Sequence, residues 1–347
     1  MMHASVEAVL NGLKVAVFMV DRDHQILFRN AASGQLFGVG LRGRKLDDFI
    51  SSKKCLKAVD RVLAGKTQVS VDIKLQLVVP TSFSVTVVRM NPEAPLEDAK
   101  AIVSLEDVTH IREAEQMRSD FVANVSHELR SPLTALYGFI ETLQGPAKDD
   151  ANARERFLGL METEAQRMAR LIDDLLSLSK LQAAERVAPD ELVAIGPVLR
   201  RVIASLEPIT EREKSTVLLE LEESLPLVHG DLDELTQVFS NLIENAAKYG
   251  QAGTAVRVRA WVAEGQLHIS VADQGDGISP KHITRLTERF YRIDKGRSRS
   301  KGGTGLGLAI VKHILMRHRG TLEISSEPGV GSEFCVVLPV ANLEELS

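Results

Sequence analysis

Two stretches with an apolar residue at every third or fourth position constrain the fold of this chain most strongly. The first stripe consists of Met117, Phe121, Val125, Leu129, Leu133, Leu136, Ile140 and Leu143. The second consists of Phe157, Met161, Ala165, Met168, Ile172, Leu175 and Leu178. This spacing is typical of amphipathic α-helices. Because only a short break at Gly145-Pro146 separates them, and Asp149-Asp150 can cap the second helix, the pattern predicts an antiparallel helical hairpin.

A single hairpin cannot bury both apolar stripes. Two hairpins that pack against each other would cover them, so the pattern predicts a homodimer with a four-helix bundle. The methionines in these stripes are interpreted as core-filling residues and not as a cofactor site.

One histidine lies on the polar side of the first helix. At about 100° per residue, His127 lies roughly 160° from the centre of the apolar stripe, so its imidazole faces solvent. Glu128 follows it and could fix the tautomer of the ring, and Ser131 shares its face one turn later. Pro132 removes a helix amide next to this position, which favours a shaped site. The alternative is an ordinary solvated histidine.

Composition excludes several classes of protein. With 347 residues, 44% hydrophobic and 26% charged, the chain can form two or three folded domains. A net charge of −5 gives no support for direct nucleic-acid binding. Cys55 and Cys335 have no disulfide or metal-ligand spacing. Neither a membrane-spanning apolar run nor a signal-peptide pattern is found, so we expect a cytoplasmic protein without a membrane-spanning segment.

The regions on either side of the hairpin mix strand-like and helix-like runs. Before it, a helix-like opening at residues 4–13 precedes the predicted strands 15–20, 25–28, 68–77, 82–90 and 101–105, with a hairpin loop at 91–98. After it, predicted strands 216–221, 256–262, 267–272, 321–325 and 334–340 alternate with predicted helices 196–206, 232–249 and 306–319. We therefore predict a multidomain α+β protein with domains at 1–110, 111–185 and 186–347.

Polar residues on one of these helices suit a metal-bound phosphate. Asn241, Asn245 and Lys248 occur at i, i+4 and i+7, and so share one edge. Amide oxygens suit a hydrated Mg²⁺, and the lysine suits a phosphate. Hydrogen bonding by buried amides is an equally good explanation of this edge.

Two glycine-containing segments follow. Asp273 ends a strand and precedes Gly275 and Gly277, so its carboxylate could accept a hydrogen bond from an exocyclic amine such as that of adenine, although a plain turn has the same composition. The segment 302–308 opens a helix whose amides can bind an anion, without the pattern of a P-loop. A basic stretch precedes it, which is either a mobile solvated loop or a nucleotide lid: Arg289, Arg292, Lys295, Arg297, Arg299 and Lys301.

Together these motifs resemble those of the sensor histidine kinases. His127 and its flanks are similar to the H-box of that family. Residues 241–249, 273–277, 288–292 and 303–307 are similar to its N-box, G1 box, F-box and G2 box, in the family's order and spacing. Residues 1–110 resemble a PAS sensor domain, with the Asp107-Val-Thr109 exit. The whole set most resembles the phosphate-regulon sensor kinases.

The resemblance implies both the fold and the chemistry. It implies a PAS-like antiparallel sheet, a dimeric hairpin and an α/β-sandwich ATP-binding domain of the gyrase, chaperone and histidine-kinase type. His127 would attack the γ-phosphorus of ATP, Glu128 would orient and deprotonate the ring, and Asn245, supported by Asn241, would hold Mg²⁺. Ser131, where relatives often carry Thr or Asn, keeps a hydroxyl for dephosphorylation of the regulator.

The remaining implied site residues bind ATP. Asp273 would read adenine, Tyr249 would line the pocket, and Lys248, Arg292 and the turn 303–307 would neutralise phosphate. The full implied ATP-binding set is Asn241, Asn245, Lys248, Tyr249, Asp273, Gly275, Gly277, Ile278, Arg292, Gly303, Thr304, Gly305, Leu306 and Gly307. The phosphoryl group would pass to a separate response regulator with a receiver domain. The alternatives are an ATPase clamp of the same nucleotide fold and a PAS-helix scaffold with little kinase activity.

Overall fold

The chain folds into two units, Met1–Ala123 and Asn124–Ser347. The computed structural model describes residues 2–38, 40–90, 98–184, 187–294 and 303–341. Residues 91–97 of the predicted loop at 91–98 and the basic positions 295, 297, 299 and 301 lie outside the described residues.

The first unit contains a five-stranded antiparallel sheet with the strand order β2-β1-β5-β4-β3. Its elements are α1 (Met2–Asn11), β1 (Ala16–Val20), β2 (Ile26–Arg29), α2 (Ala31–Phe37), a 3₁₀ helix (Leu46–Asp48), α3 (Lys53–Leu63), β3 (Gln68–Gln76), β4 (Pro80–Arg89) and β5 (Ala101–Asp107). Alternate strand residues face a core that includes Phe18, Phe83 and Val103. All five predicted strands are present, whereas α2 and α3 were not predicted.

A buried asparagine connects α1 to this sheet. The side-chain amide of Asn30 donates to the carbonyls of Leu10 and Val15 at 2.9 and 2.8 Å. Its Oδ1 accepts from the amides of Val17 and Ser33 at 2.9 and 3.0 Å. Both donors and both lone pairs of the side chain are therefore satisfied, as burial requires.

The two amphipathic stretches form long helices, α4 (Thr109–Gln144) and α5 (Ala151–Ala184). Helix α4 continues through Pro132. The predicted cap is confirmed, because Oδ1 of Asp150 accepts from the amide of Ala153 at 2.9 Å. Phe139 and Phe157 pack across the hairpin, with ring centroids 5.5 Å apart. In the part of the chain that the structure describes, no helix is both long and apolar enough to cross a membrane.

The second unit also contains a five-stranded sheet, with the order β11-β12-β10-β9-β7, in which only the β7–β9 pair is parallel. After the hairpin its elements are β6 (Leu192–Val193), α6 (Ile195–Arg212), β7 (Thr216–Leu221), β8 (Val228–His229), α7 (Leu232–Tyr249), β9 (Ala255–Ala263), β10 (Gln266–Asp273), α8 (Pro280–Ile283), α9 (Gly307–Arg317), β11 (Thr321–Glu327) and β12 (Gly331–Pro339). The predicted strands and the three main helices are present, and the short strands β6 and β8 were not predicted. This arrangement of helices and sheet confirms the predicted α+β class.

An apolar side and an N-terminal cap in the sequence fix the orientation of helix α7. Leu235, Val238 and Leu242 are almost completely buried, so one side of the helix packs into the core. Asp231 caps its N-terminus by accepting from the amides of Asp233 and Glu234 at 3.0 Å. The polar side of α7 is thereby turned towards the end of β10.

Candidate active site

A cavity of about 540 Å³ lies between helix α7, the end of β10 and the glycine-rich turn before α9. This volume is in the usual range for a small-molecule site. Twelve of the predicted ATP-binding residues line it: Asn241, Asn245, Lys248, Tyr249, Asp273, Gly277, Ile278, Arg292, Gly303, Thr304, Gly305 and Gly307. The other two, Gly275 and Leu306, belong to the same turns without lining the cavity. The structure therefore brings residues from four separate motifs to one site.

The polar wall formed by α7 contains an ion pair that the sequence pattern did not reveal. Nζ of Lys248 lies 2.6 Å from Oε1 of Glu244, and the lysine side chain is only 8% exposed. The amide of Asn241 donates to the carbonyl of Gly307 at 3.4 Å and so connects this wall to the start of α9. Lys248 therefore does not lie on an exposed helix edge, and a positive charge is held inside the cavity.

Asp273 presents a carboxylate to the cavity at the end of β10. Burial raises the pKa of this carboxyl, and backbone hydrogen bonds from Gly275 and Ser332 oppose the increase. The bond from the amide of Gly275 measures 2.8 Å. Gly277 has a φ of +65°, and a Cβ there would lie 2.0 Å from the carbonyl oxygen of Glu327. The absence of a side chain at Gly277 thus lets the loop pack closely against the backbone of Glu327. An ordinary turn would not need a glycine for such a contact.

The glycine-rich turn leads directly into helix α9. Gly305 has a φ of +75°, and its carbonyl accepts from the amide of Phe290 at 2.8 Å. The helix then begins at Gly307. Amides at the start of a helix carry a partial positive charge, so this end of the cavity suits phosphate.

Helix α5 contributes cavity residues that sequence reasoning missed, namely Arg170, Asp173 and Asp174. The hydroxyl of Thr304 donates to Oδ2 of Asp174 at 2.7 Å. Burial raises the pKa of Asp174, the hydrogen bond from Thr304 opposes the increase, and the charge of Glu244 adds to it. The polar side of α5 carries many charged residues, and no sequence signal distinguishes the ones that meet the cavity. Ser332 and Phe334 of β12 were missed as well.

The predicted phosphoacceptor residues lie outside this cavity. His127 and Ser131 are both exposed on α4, as their helical phase predicted, and neither is among the described residues that line the cavity. Oε2 of Glu128 lies 2.9 Å from Nη2 of Arg167 and 3.8 Å from Nη1 of Arg292. Within the described ranges, no hydrogen bond or ion pair joins Glu128 to His127. The Glu128 carboxylate pairs with these two arginines in this structure, and its orientation of the imidazole stays a prediction.

Comparison with known proteins identifies the family. Residues 117–184 match the His Kinase A (phospho-acceptor) domain, and residues 230–342 match the histidine kinase-, DNA gyrase B- and HSP90-like ATPase domain. The phosphate regulon sensor protein PhoR of Pseudomonas aeruginosa is 37% identical over 336 residues, covering 96% of this chain and 74% of that protein. This chain belongs to the sensor histidine kinases. Its kinase domains perform autophosphorylation and phosphotransfer in a two-component system, and its ATPase domain binds ATP.

Two further similarities agree with this assignment. The sensor-like histidine kinase SenX3 of Mycolicibacterium smegmatis is 33% identical, over 94% of this kinase and 83% of its own length. The solved structure of histidine kinase ThkA in complex with response regulator protein TrrA has a TM-score of 0.55 at 21% identity, covering 96% of this kinase and 98% of that chain. At that identity the second match supports the fold alone. The phospho-acceptor domain before the ATPase domain distinguishes this kinase from an ATPase clamp.

Proposed function

We propose that this kinase phosphorylates His127 and then passes the phosphoryl group to an aspartate of a separate response regulator of the phosphate-regulon type. The position of Arg292 carries the proposal. This arginine lines the cavity and pairs with Glu128, the residue directly after His127. A single side chain thus connects the nucleotide site with the segment of α4 that carries His127.

In the proposed reaction, a ring nitrogen of His127 attacks the γ-phosphorus of ATP. The bond from that phosphorus to the β–γ bridging oxygen breaks, and ADP leaves with the electron pair. Glu128 accepts the ring proton after it exchanges its arginine partners for the imidazole. Since His127 lies outside the cavity, the ATP-binding domain must shift, or a second copy must supply the histidine, before the atoms meet. Phosphoryl transfer depends mainly on such positioning and on neutralised charge.

The nucleotide roles follow from the walls of the cavity. We assign adenine recognition to Asp273, because its carboxylate ends a strand at the wall of the cavity that Gly277 and Ile278 also line. Tyr249 lines the same cavity. We assign phosphate binding to Lys248, Arg292 and the turn 303–307, which combine two cations with helix-start amides.

The α7 wall also fits Mg²⁺. Asn245, Asn241 and Glu244 all line the cavity, and each side chain carries an oxygen of the kind that binds Mg²⁺. Hard oxygen ligands in small number suit an ion that keeps waters and phosphate oxygens as its other ligands. When bound, Mg²⁺ would neutralise charge on the triphosphate. We propose Asn245 as its protein ligand, supported by Asn241.

Assembly and domain organisation complete the proposal. We propose a PAS-like domain at 1–110, a dimerising hairpin at 111–185 and an ATP-binding domain at 186–347, working in the cytoplasm. The exposed apolar residues Leu133, Ile140, Ile172 and Leu176 support a homodimer, because a single hairpin leaves them in solvent. Light scattering tests this assembly, and a monomer at micromolar concentration would contradict it.

The name of the PhoR relative supports the regulator type. A receiver from a phosphate-regulon regulator should accept the phosphoryl group faster than receivers from unrelated systems. Equal rates with all receivers would remove the regulon assignment while leaving the kinase activity intact.

The phosphoacceptor assignment is tested with ATP labelled at the γ-phosphate. His127→Ala should abolish acid-labile, alkali-stable label while ADP still binds. His110→Ala is the matched control, because this histidine is also exposed on α4. Label that survives in His127→Ala would overturn the assignment, and absence of label in the wild-type protein would favour a scaffold with little kinase activity.

A further inference from the structure

Ser326 lies on β11 behind the nucleotide cavity and does not line it. We propose that Ser326 is a positioning residue that holds the base-binding loop in the shape that distinguishes adenine from guanine. This proposal rests on the role proposed above for Asp273.

The hydroxyl of Ser326 makes three hydrogen bonds. Its oxygen accepts from the amide of Ile278 at 2.8 Å. It donates its proton to the carbonyl of Gly331 at 2.8 Å, and it lies 2.9 Å from Oγ of Ser332. Since the single proton goes to Gly331, the hydroxyl of Ser332 must be the donor in the third bond. The donor and both acceptor positions of Ser326 are therefore used.

These bonds join the two segments that form the base side of the cavity. Ile278 belongs to the loop after Asp273 and lines the cavity itself. Ser332 is the second residue of β12, also lines the cavity, and donates its backbone amide to the carboxylate of Asp273. Ser326 therefore contacts one residue of the loop that follows Asp273 and one residue that hydrogen-bonds to the Asp273 carboxylate.

The backbones of the same two segments touch each other. A Cβ at Gly331 would lie 2.1 Å from the carbonyl oxygen of Asp273. The amide of Gly329 donates to the carbonyl of Asp276 at 2.8 Å. A small displacement between the loop and the turn from β11 to β12 would therefore move Asp273 relative to Ile278.

Removing the hydroxyl should change base selectivity more than phosphate binding. Without it, the Ile278 amide and the Ser332 hydroxyl lose their partner in a partly buried region, and the two segments can separate to reach water. Among the described residues, the hydrogen bonds of Ser326 go to Ile278, Gly331 and Ser332, and none of these is proposed to bind phosphate.

The experiment compares binding of ADP and GDP to the full-length protein by calorimetry, with Ser326→Ala against wild type. We expect the preference for ADP over GDP to fall about tenfold, as when one or two buried hydrogen bonds are lost. Ser326→Thr keeps the hydroxyl and should restore the preference. Ser325→Ala is the matched control, because Ser325 is the exposed neighbour on the same strand. The KM for ATP should rise while kcat changes little.

An unchanged preference in a folded Ser326→Ala protein would overturn the role of Ser326. If that variant does not fold, Ser326→Cys decides instead, because a thiol of similar size accepts hydrogen bonds weakly. Asp273→Asn separates this failure from that of the function proposed above. If Asp273→Asn lowers the preference and Ser326→Ala does not, the base assignment stands and Ser326 has no role in it. If neither variant changes the preference, both assignments are wrong.

Discussion

Asp174 of helix α5 accepts a hydrogen bond from the hydroxyl of Thr304 in the glycine-rich turn, at 2.7 Å. The contact attaches the proposed phosphate-binding turn to the hairpin that carries His127. It also places a carboxylate at the end of the cavity where the triphosphate should lie. The same interaction therefore holds the ATP-binding domain on the hairpin and opposes the charge of the nucleotide.

Replacement of Asp174 by Asn should tighten ATP binding. The amide oxygen can still accept from Thr304, whereas the negative charge facing the phosphates is removed. We expect Kd for Mg²⁺-ATP to fall about threefold to tenfold at low salt, and less at high salt because of screening. Calorimetric titration measures this change. Asp173→Asn, at the exposed neighbouring position, should have a smaller effect, and equal effects would contradict a specific role for Asp174.

The pH dependence of thermal stability should also differ between the wild-type protein and Asp174→Asn. Burial raises the pKa of Asp174 above its ordinary value of 3.8, so the folded state holds this proton more tightly than the unfolded state does. The stability that Asp174 contributes is therefore present below that value and is lost as pH rises through the higher pKa of the folded state. The gain in Tm from Asp174→Asn should grow from pH 4 towards pH 7 in melting curves. A gain in Tm that is largest at low pH would contradict a raised pKa of Asp174 in the folded state.

The ion pair between buried Lys248 and partly exposed Glu244 gives a third prediction. Glu244→Gln leaves the lysine charge without its carboxylate, which should cost about 1–3 kcal/mol of folding free energy, reduced because Glu244 is partly exposed. Phosphate can replace the missing charge, so ATP should raise Tm more in the variant than in wild type. Glu288→Gln, which breaks a surface pair with Arg285, should change neither quantity. If ATP raised Tm equally in wild type and Glu244→Gln, the assignment of Lys248 to phosphate binding would be wrong.

The sequence predicted those parts of the site that depend on one element at a time. The helical phase placed His127 and Ser131 on an exposed face, and the spacing of Asn241, Asn245 and Lys248 placed them on one wall. Partners from distant elements could not be predicted in this way. Asp174 meets Thr304 across 130 positions, Glu128 meets Arg167 across 39, and Ser326 meets Ile278 across 48. Such pairs depend on how helices and strands pack, which periodicity does not encode.

The same distinction explains the helices that were missed in the first unit. Helix α3 buries Cys55, Val59 and Val62 on one side, but the pattern covers only eleven residues and begins with two lysines. Helix α2 is shorter still, and its start depends on Asn30, whose partners lie up to 20 positions away. Short elements that tertiary contacts stabilise give weak local signals.

Asn30 should be essential for the stability of the first unit. Asn30→Ala removes four hydrogen bonds and leaves buried backbone groups without partners, so we expect a loss of about 2–4 kcal/mol. Hydrogen exchange should become faster in β1 and β2. The urea concentration at which the other unit unfolds, measured by the fluorescence of Trp261, should not change. Asn11→Ala is the control, because it removes a single exposed hydrogen bond to Ala31. Equal loss of protection in both variants would show that burial of Asn30 has no special effect.

Ser131 should act in removal of phosphate from the response regulator and not in autophosphorylation. Its hydroxyl is exposed one helical turn after His127, on the face where a receiver domain must dock to reach the phosphohistidine. There it can hold the water that attacks the phosphoaspartate, because a hydroxyl both donates and accepts. Ser131→Ala should therefore leave the rate of His127 labelling unchanged and slow loss of label from the regulator about tenfold or more.

Thr134→Ala is the matched control for Ser131. This hydroxyl is also exposed on α4, but it already donates to the carbonyl of Arg130 at 3.0 Å and so is less available to a water molecule. We expect its removal to change neither reaction. The decisive measurement is the decay of purified phosphorylated regulator after addition of each variant with ADP. Because the regulator hydrolyses its own phosphate slowly in any case, the rate without kinase must be subtracted. Identical corrected rates for Ser131→Ala and wild type would exclude the hydroxyl from the reaction.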